Sequence, residues 1–251
     1  MDGQGHGRWV DLADGVYARR HADLDLTTGL VLGTERALVI DTRGDDGQGA
    51  ELAAAVRAVT PLPLLVVITH AHFDHCFGTS AFPGAPVHAQ AGCAAALTVT
   101  AAAQRAEWVR HYRAAGDATT ADALAATVPV APDVGVCPRP GSVHTLDLGG
   151  RTVELVHPGP AHTGHDLVAH VPDVGVLFAG DLLENGAPPS FGPDAYPRDW
   201  AGAVALLLAR GANTYVPGHG DPMTPHEAAA QHAELAGIAR RWRRCGEDRR
   251  R

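Results

Sequence analysis

An unbroken apolar run, Leu64-Leu65-Val66-Val67-Ile68, leads straight into Thr69-His70-Ala71-His72-Phe73-Asp74-His75, and no other stretch restricts the fold so tightly. The run is rich in branched side chains and is opened by Pro61 and Pro63, the pattern of a buried strand. Three histidines and an aspartate then arrive within six residues at its end. Open α/β sheets carry their chemistry at the carboxyl ends of strands, and imidazole with carboxylate suits a first-row divalent metal, zinc first. If the chain is still extended at His70 and His72, their side chains share a face and can grip one ion. Asp74 and His75 follow the strand's end and are free to aim at a neighbouring position. Gly78 then gives the backbone room to turn into a helix. The bland alternative is a histidine-rich surface loop; four ligand-type residues in this order argue against it.

The chain has 251 residues, most simply one domain able to bury a core, and its 45% hydrophobic and 19% charged content fits a soluble enzyme. Its net charge is −8 and every basic residue is arginine, so nothing in the charge balance favours nucleic acid or an anionic membrane as partner. A small-molecule substrate is expected instead. Residues Met1 to Val10 are polar and glycine-rich, without the pattern of a secretory signal. Cys76, Cys93, Cys137 and Cys245 are scattered without C-x-x-C spacing; four could make two bridges, but without an export signal they read as reduced thiols and a cytoplasmic location is expected. Cys76, beside the histidine motif, reads as a small buried residue rather than a reactive one.

Trp9 to Arg20 alternates around Asp14-Gly15, and Gly29–Gly33 with Ala37–Asp41 reads as a hairpin. Gly49 to Thr60 has helical spacing at Leu52, Val56 and Val59 and feeds the Leu64 strand. Pro86-Val87-His88 is a short strand in which His88 is structural. Residues 91–140 begin as a helix to Ala115, with Trp108, Val109 and Tyr112 clustered, and become loose from Gly116 to Pro140. This insertion reads as a lid over a substrate pocket, as a helix packed on the sheet, or as both. A hairpin spans His144–Leu148 and Thr152–Val156, and a strand pair spans Leu167–Val171 and Val174–Ala179. The second of that pair ends in Gly180-Asp181, a carboxylate at a strand end. Arg198 to Arg210 reads as a helix, and Thr214-Tyr215-Val216 as a strand leading into Pro217-Gly218-His219-Gly220. The terminal helix carries His226 and His232, both structural.

The H-x-H-x-D-H motif after a buried strand resembles the metallo-β-lactamase superfamily of metal-dependent hydrolases. The resemblance runs from about Ile40 to Gly220 and rests on four strand-end motifs in order. It implies a four-layer αβ/βα sandwich, two mixed sheets with helices on the outer faces. It implies one metal held by His70, His72 and His162, a second by Asp74, His75 and His219, and Asp181 bridging them. His157 and His165 compete with His162, whose Thr163-Gly164 matches the family pattern. Asp166 is a turn or supporting residue, and Asp41 either supports the metals or caps a turn. Two Zn²⁺ are implied, with iron or manganese as alternatives, and a metal-activated hydroxide as nucleophile with Asp74 passing the proton. The activity implied is cleavage of a small ester, thioester, lactone or β-lactam. Secreted β-lactamases that resemble this family commonly have cysteine at the position of Asp181 and a lysine soon after, where this chain has Asp181-Leu182-Leu183-Glu184. That departure points to the broader hydrolases. An iron-dependent persulfide dioxygenase is the alternative reading, and a phosphodiesterase or nuclease a weaker third. A substrate carboxylate would need arginine, with Arg139, Arg151 and Arg198 as candidates; Asn185, Phe191 and Tyr196 are candidate substrate contacts.

Overall fold

Alternate residues of the Leu64 strand bury into two different cores, and this explains why the run is apolar without interruption. Leu64 and Val66 pack with Leu52, Val56 and Phe77 beneath helices; Leu65 and Val67 pack with Leu38, Leu155 and Phe178 between two sheets. The computed structural model describes residues 7–248, with side chains through Trp242. The first sheet orders β1 (Arg8–Ala13), β2 (Val16–Arg20), β3 (Thr27–Leu32), β4 (Ala37–Ile40), β5 (Leu64–Val67), β6 (Val87–Gln90) and β7 (Val134–Val136) in sequence. It is antiparallel as far as β4 and parallel from β4 to β7. The second sheet is built from β8 (Val143–Asp147), β9 (Thr152–Val156), β10 (Val168–Val171), β11 (Val176–Glu184) and β12 (Thr214–His219). Its order is β12-β11-β10-β9-β8, with only β11 and β12 parallel.

Helices α1 (Asp46–Val59), α2 (Phe73–Cys76), α3 (Cys93–Ala114) and α4 (Ala118–Ala126) lie with the first sheet. Helices α5 (Trp200–Leu208) and α6 (Pro225–Asp248) cover the second, where Trp200, Leu207 and Leu235 form a third core with Leu177 and Tyr215. This is the four-layer sandwich expected from the sequence. Asp45 caps α1 by accepting Gln48 N–H at 2.8 Å, and Gly49, Leu52 and Val56 form its buried stripe.

The segment after α3 is more ordered than its composition suggests. Asp117 accepts Thr120 N–H at 2.9 Å and starts α4, which buries Ala121 and Leu124. The prolines that made Gly116 to Pro140 read as loose lie beyond this helix. Gly78 also has a different role from the one its position suggested. It sits inside a 3-10 turn (Phe77–Ala81), and a Cβ there would collide with the carbonyl of Thr42. Glycine is needed for this close approach, not for a special dihedral.

A buried polar patch lies between β2 and α1. His21 is 2% exposed, its Nε2 pairs with Thr28 Oγ1 at 3.1 Å, and Arg19 and Arg43 both reach Glu51. Burial, then the charges of Arg43, Arg19 and Arg20, push the His21 pKa from 6.5 down to about 2. The unfolded chain therefore binds a proton below about pH 6.5 that the folded chain refuses. This contribution to stability is complete above that pH and is lost as pH falls. At pH 5 the loss is about 2 kcal/mol, from about 1.36 kcal/mol per unit over roughly 1.5 units. His21→Asn should lose less stability between pH 7 and pH 5 than the parent in urea unfolding; equal losses would remove His21 from the account.

Candidate metal centre

The carboxyl ends of β4, β5, β11 and β12 meet at one rim, joined there by the 157–166 loop. The chain has already left β5 at Val67, so His70 and His72 do not owe their shared direction to strand alternation. The turn that follows places them, with ring centroids 4.6 Å apart. Gln104 of α3 holds that turn at two points, donating to the Ala71 carbonyl at 2.8 Å and accepting Phe73 N–H at 2.9 Å. Trp108 stacks on Phe73 from the same helix, centroids 4.5 Å apart. Helix α3 is therefore a buttress beneath the motif.

The structure brings all seven sequence-predicted ligands together in two adjoining groups. His70, His72, His162 and Asp181 form one; Asp74, His75 and His219 form the other; within each, the donor atoms lie within 4.8 Å of one another. Asp181 Oδ2 is 3.7 Å from His70 Nε2 and 3.4 Å from both His162 Nε2 and His219 Nε2, so it faces both groups. It lies inside β11 rather than at a strand end, because β11 continues to Glu184 past an irregular pairing at Gly180, where φ is +54°. Both glycines of Pro217-Gly218-His219-Gly220 have steric reasons. A Cβ on Gly218 would collide with Asp181 Oδ1, and one on Gly220, at φ +96°, with the Asn185 carbonyl.

Each of the five histidines commits its outer nitrogen to an acceptor. His75 Nδ1 donates to Asp41 Oδ2 at 2.8 Å, His162 Nδ1 to the Ser190 carbonyl at 3.2 Å and His219 Nδ1 to the Leu24 carbonyl at 2.8 Å. His72 Nε2 donates to Asp194 Oδ2 at 3.2 Å. His70 Nδ1 lies 3.0 Å from Thr69 Oγ1, whose own proton goes to Asp41 Oδ2 at 2.8 Å. Neutral imidazoles so arranged turn five lone pairs inward. His162 Nε2 then faces His72 Nδ1 at 3.0 Å, and His75 Nε2 faces His219 Nε2 at 3.4 Å. His70 Nε2 and Asp181 Oδ1 are buried without an aligned hydrogen-bond partner. Lone pairs facing lone pairs beside two carboxylates are stable only with protons or cations between them. The donor set, all nitrogen and carboxylate oxygen, fits zinc or a similar ion.

The electrostatics divide the cluster: His70 and His162 favour the neutral ring, while the carboxylates favour charge on His75 and His219. Burial, then the neighbouring His75, hold the His70 pKa well below the usual value, and burial brings His162 down to about 4. Burial opposes charge on His219 as well, but Asp181 and Asp74 overcome it and carry the value up to about 12. Burial likewise disfavours ionised Asp74, and the adjoining His75 and His219 outweigh it, keeping the carboxylate below its usual range.

Other sequence expectations sort clearly. Asp41 holds the centre rather than capping a helix, a task that falls to Asp45. His157 bonds the Asp166 carbonyl and His165 bonds Thr163 Oγ1, so neither joins the cluster; Asp166 closes the Thr163 turn. Cys76 is buried, gives its Sγ–H to the His72 carbonyl, and burial raises its pKa well above normal, as an inert packing residue requires. His88 is buried in β6 beside His144. Arg151 is committed to Asp173 and the Leu32 carbonyl, and Arg198 reaches the Trp242 carbonyl, so neither points to a substrate. Asn185 braces the His219 turn through the His219 and Asp221 carbonyls. Sequence reasoning missed Asp194, Gln104 and the Leu24 and Ser190 carbonyls. A cavity of about 740 Å³ between Arg36, Arg57, Pro63 and Pro86 lies at the opposite ends of β5 and β6 and includes none of the seven residues.

A family model described as the metallo-beta-lactamase superfamily matches residues 24–219. The chain belongs to that superfamily. A type 2 metallo-beta-lactamase from Bacillus cereus is 29% identical over 205 residues, 78% of this chain and 67% of that protein. An acyl-coenzyme A thioesterase from Gallus gallus is 27% identical over 244 residues, 86% of this chain and 81% of that one. Among solved structures, a metallo-beta-lactamase from Pontibacter korlensis superposes with a TM-score of 0.71 at 21% identity, covering 91% of this chain and 98% of that one. Another from Pseudomonas aeruginosa, described in its mono-zinc form, gives 0.70 at 21% identity over 93% and 96%. The chain is a metallo-hydrolase of this superfamily. Among the described residues no helix is long and apolar enough to cross a membrane.

Proposed function

We propose that this chain is a dizinc hydrolase that cleaves the carbonyl–heteroatom bond of a small ester, thioester, lactone or β-lactam. The observation that carries the reading is the pair of adjoining donor groups whose outer nitrogens are already spent, leaving only lone pairs and carboxylates inward. When bound, the cations supply Lewis acidity to a carbonyl oxygen and lower the pKa of a water towards neutrality. Asp181 suits a shared ligand because it faces both groups. Asp74, whose Oδ2 lies 3.3 Å from His219 Nε2 at the edge of the second donor group, is read as the carboxylate that passes the proton from the attacking water to the leaving group. Phe191, exposed and packed on Trp200, which itself packs on His162, offers an apolar wall to an acyl group. Residues 91–140, tied to the motif through Gln104, are read as the other wall of the cleft.

Within this class a thioester is favoured. The thioesterase relative aligns over larger shares of both chains than the lactamase does, and Asp181-Leu182-Leu183-Glu184 departs from the cysteine followed by lysine that the resemblance implies for secreted lactamases. A reducing, cytoplasmic setting accords with Cys76, Cys93 and Cys137, free thiols among the described residues. The test is metal analysis of purified protein, then acyl thioesters, lactones and β-lactams offered with added Zn²⁺. Two zincs per chain and thioester turnover support the reading. Iron with oxygen uptake on a persulfide would replace it, and full turnover after exhaustive chelation would end it.

A further inference from the structure

Glu184 ends β11, three residues after Asp181, and belongs to neither donor group. Its carboxylate is buried, and Oε1 accepts the backbone N–H of Ser190 at 3.0 Å. The carbonyl of the same serine accepts Nδ1–H of His162 at 3.2 Å. Glu184 is itself gripped on both sides of its main chain by buried Gln231 of α6, which accepts from its N–H at 3.0 Å and donates to its carbonyl at 2.9 Å.

The direction of the His162 lone pair depends on where the Ser190 carbonyl is held. Ser190 is exposed and lies in an irregular loop between β11 and α5, where the bond to Glu184, the buried Pro189 before it and the stacking of Phe191 on Trp200 hold it. The same loop carries Asp194, the partner of His72. The Glu184 carboxyl oxygen is the side-chain acceptor that anchors this turn, and it needs no charge to do so. We propose that Glu184 is a positioning residue: through Ser190 it sets the tautomer and orientation of His162, and Gln231 makes α6 part of the support of the first donor group. The inference rests on the metal-centre reading above.

The experiment is competition for Zn²⁺ between the full-length protein and a chelator, with the Co²⁺-loaded absorption spectrum as a second readout. Glu184→Ala should weaken metal binding about 10- to 100-fold, the usual effect of removing an outer partner of a ligand histidine, and should alter the Co²⁺ spectrum. Glu184→Gln retains an acceptor oxygen and should stay near the parent. Ser190→Pro deletes the same N–H from an exposed position, leaves Glu184 in place, and should reproduce the loss if Glu184→Ala folds poorly. In a His162→Ala background, Glu184→Ala should cost nothing further. Parental affinity in Glu184→Ala and Ser190→Pro, or an undiminished cost in the His162→Ala background, would overturn the inference. A parent protein that binds neither ion would overturn the metal-centre reading with it.

Discussion

Replacing Asp181 by alanine is expected to empty the metal centre and abolish hydrolysis together. The residue is 6% exposed, faces both donor groups, and is the only carboxylate within 4 Å of His70, His162 and His219 alike among the described residues. In the proposed dinuclear centre two adjacent cations would repel one another, and without this charge only Asp74 would remain among the seven residues to offset them. The Lewis-acid contribution at stake is several kcal/mol; a loss of about 4 kcal/mol corresponds to roughly a thousandfold in rate. Bound metal per chain and turnover should therefore fall in the same variant. Gly218→Ala offers an independent route to the same result, since its new methyl group would displace Asp181 Oδ1 without altering any donor. An Asp181→Ala protein that keeps two cations and most of its activity would break the proposed assignment.

The H-x-H-x-D-H residues were legible from their place after an apolar strand run, and His162, Asp181 and His219 through the family resemblance that this motif opened. Their order along the chain follows the order of strands meeting at one rim. What was not legible is the support. Asp194 lies in a Gly- and Pro-rich loop where an acidic residue is unremarkable, and only the fold brings it 3.2 Å from His72, 122 positions away in sequence. The carbonyls of Leu24 and Ser190 carry no side-chain signal at all. Helix α4 was hidden by the prolines that follow it, and the reach of β11 by Gly180, which bends the strand without ending it. The shared face of His70 and His72 was anticipated for a reason the structure does not use: the strand had already ended, and Gln104, from a helix whose role as lid or packing element the sequence left open, holds the turn.

Asp41→Asn should cost about 10- to 100-fold in metal affinity despite being nearly isosteric. Asp41 accepts three hydrogen bonds, from Thr69 N, Thr69 Oγ1 and His75 Nδ1, each 2.8 Å long, in a site 2% exposed. Its backbone sits at φ +63°, a conformation asparagine tolerates better than most residues, so the substitution adds little strain. The amide's single oxygen cannot serve all three donors, and its NH₂ group meets an O–H or N–H where an acceptor was needed. His75 then loses the bond that turns Nε2 inward, and Thr69 loses the one that orients it towards His70. Each buried donor left unpaired costs about 1–3 kcal/mol, so metal-free Asp41→Asn should also unfold at lower urea, by roughly 3 kcal/mol if two donors are stranded. Chelator competition and urea titration measure the two effects separately. If Asp41 were only a turn residue, asparagine would leave both unchanged, and the hydrogen bonds to Thr69 and His75 would then have no part in holding the centre.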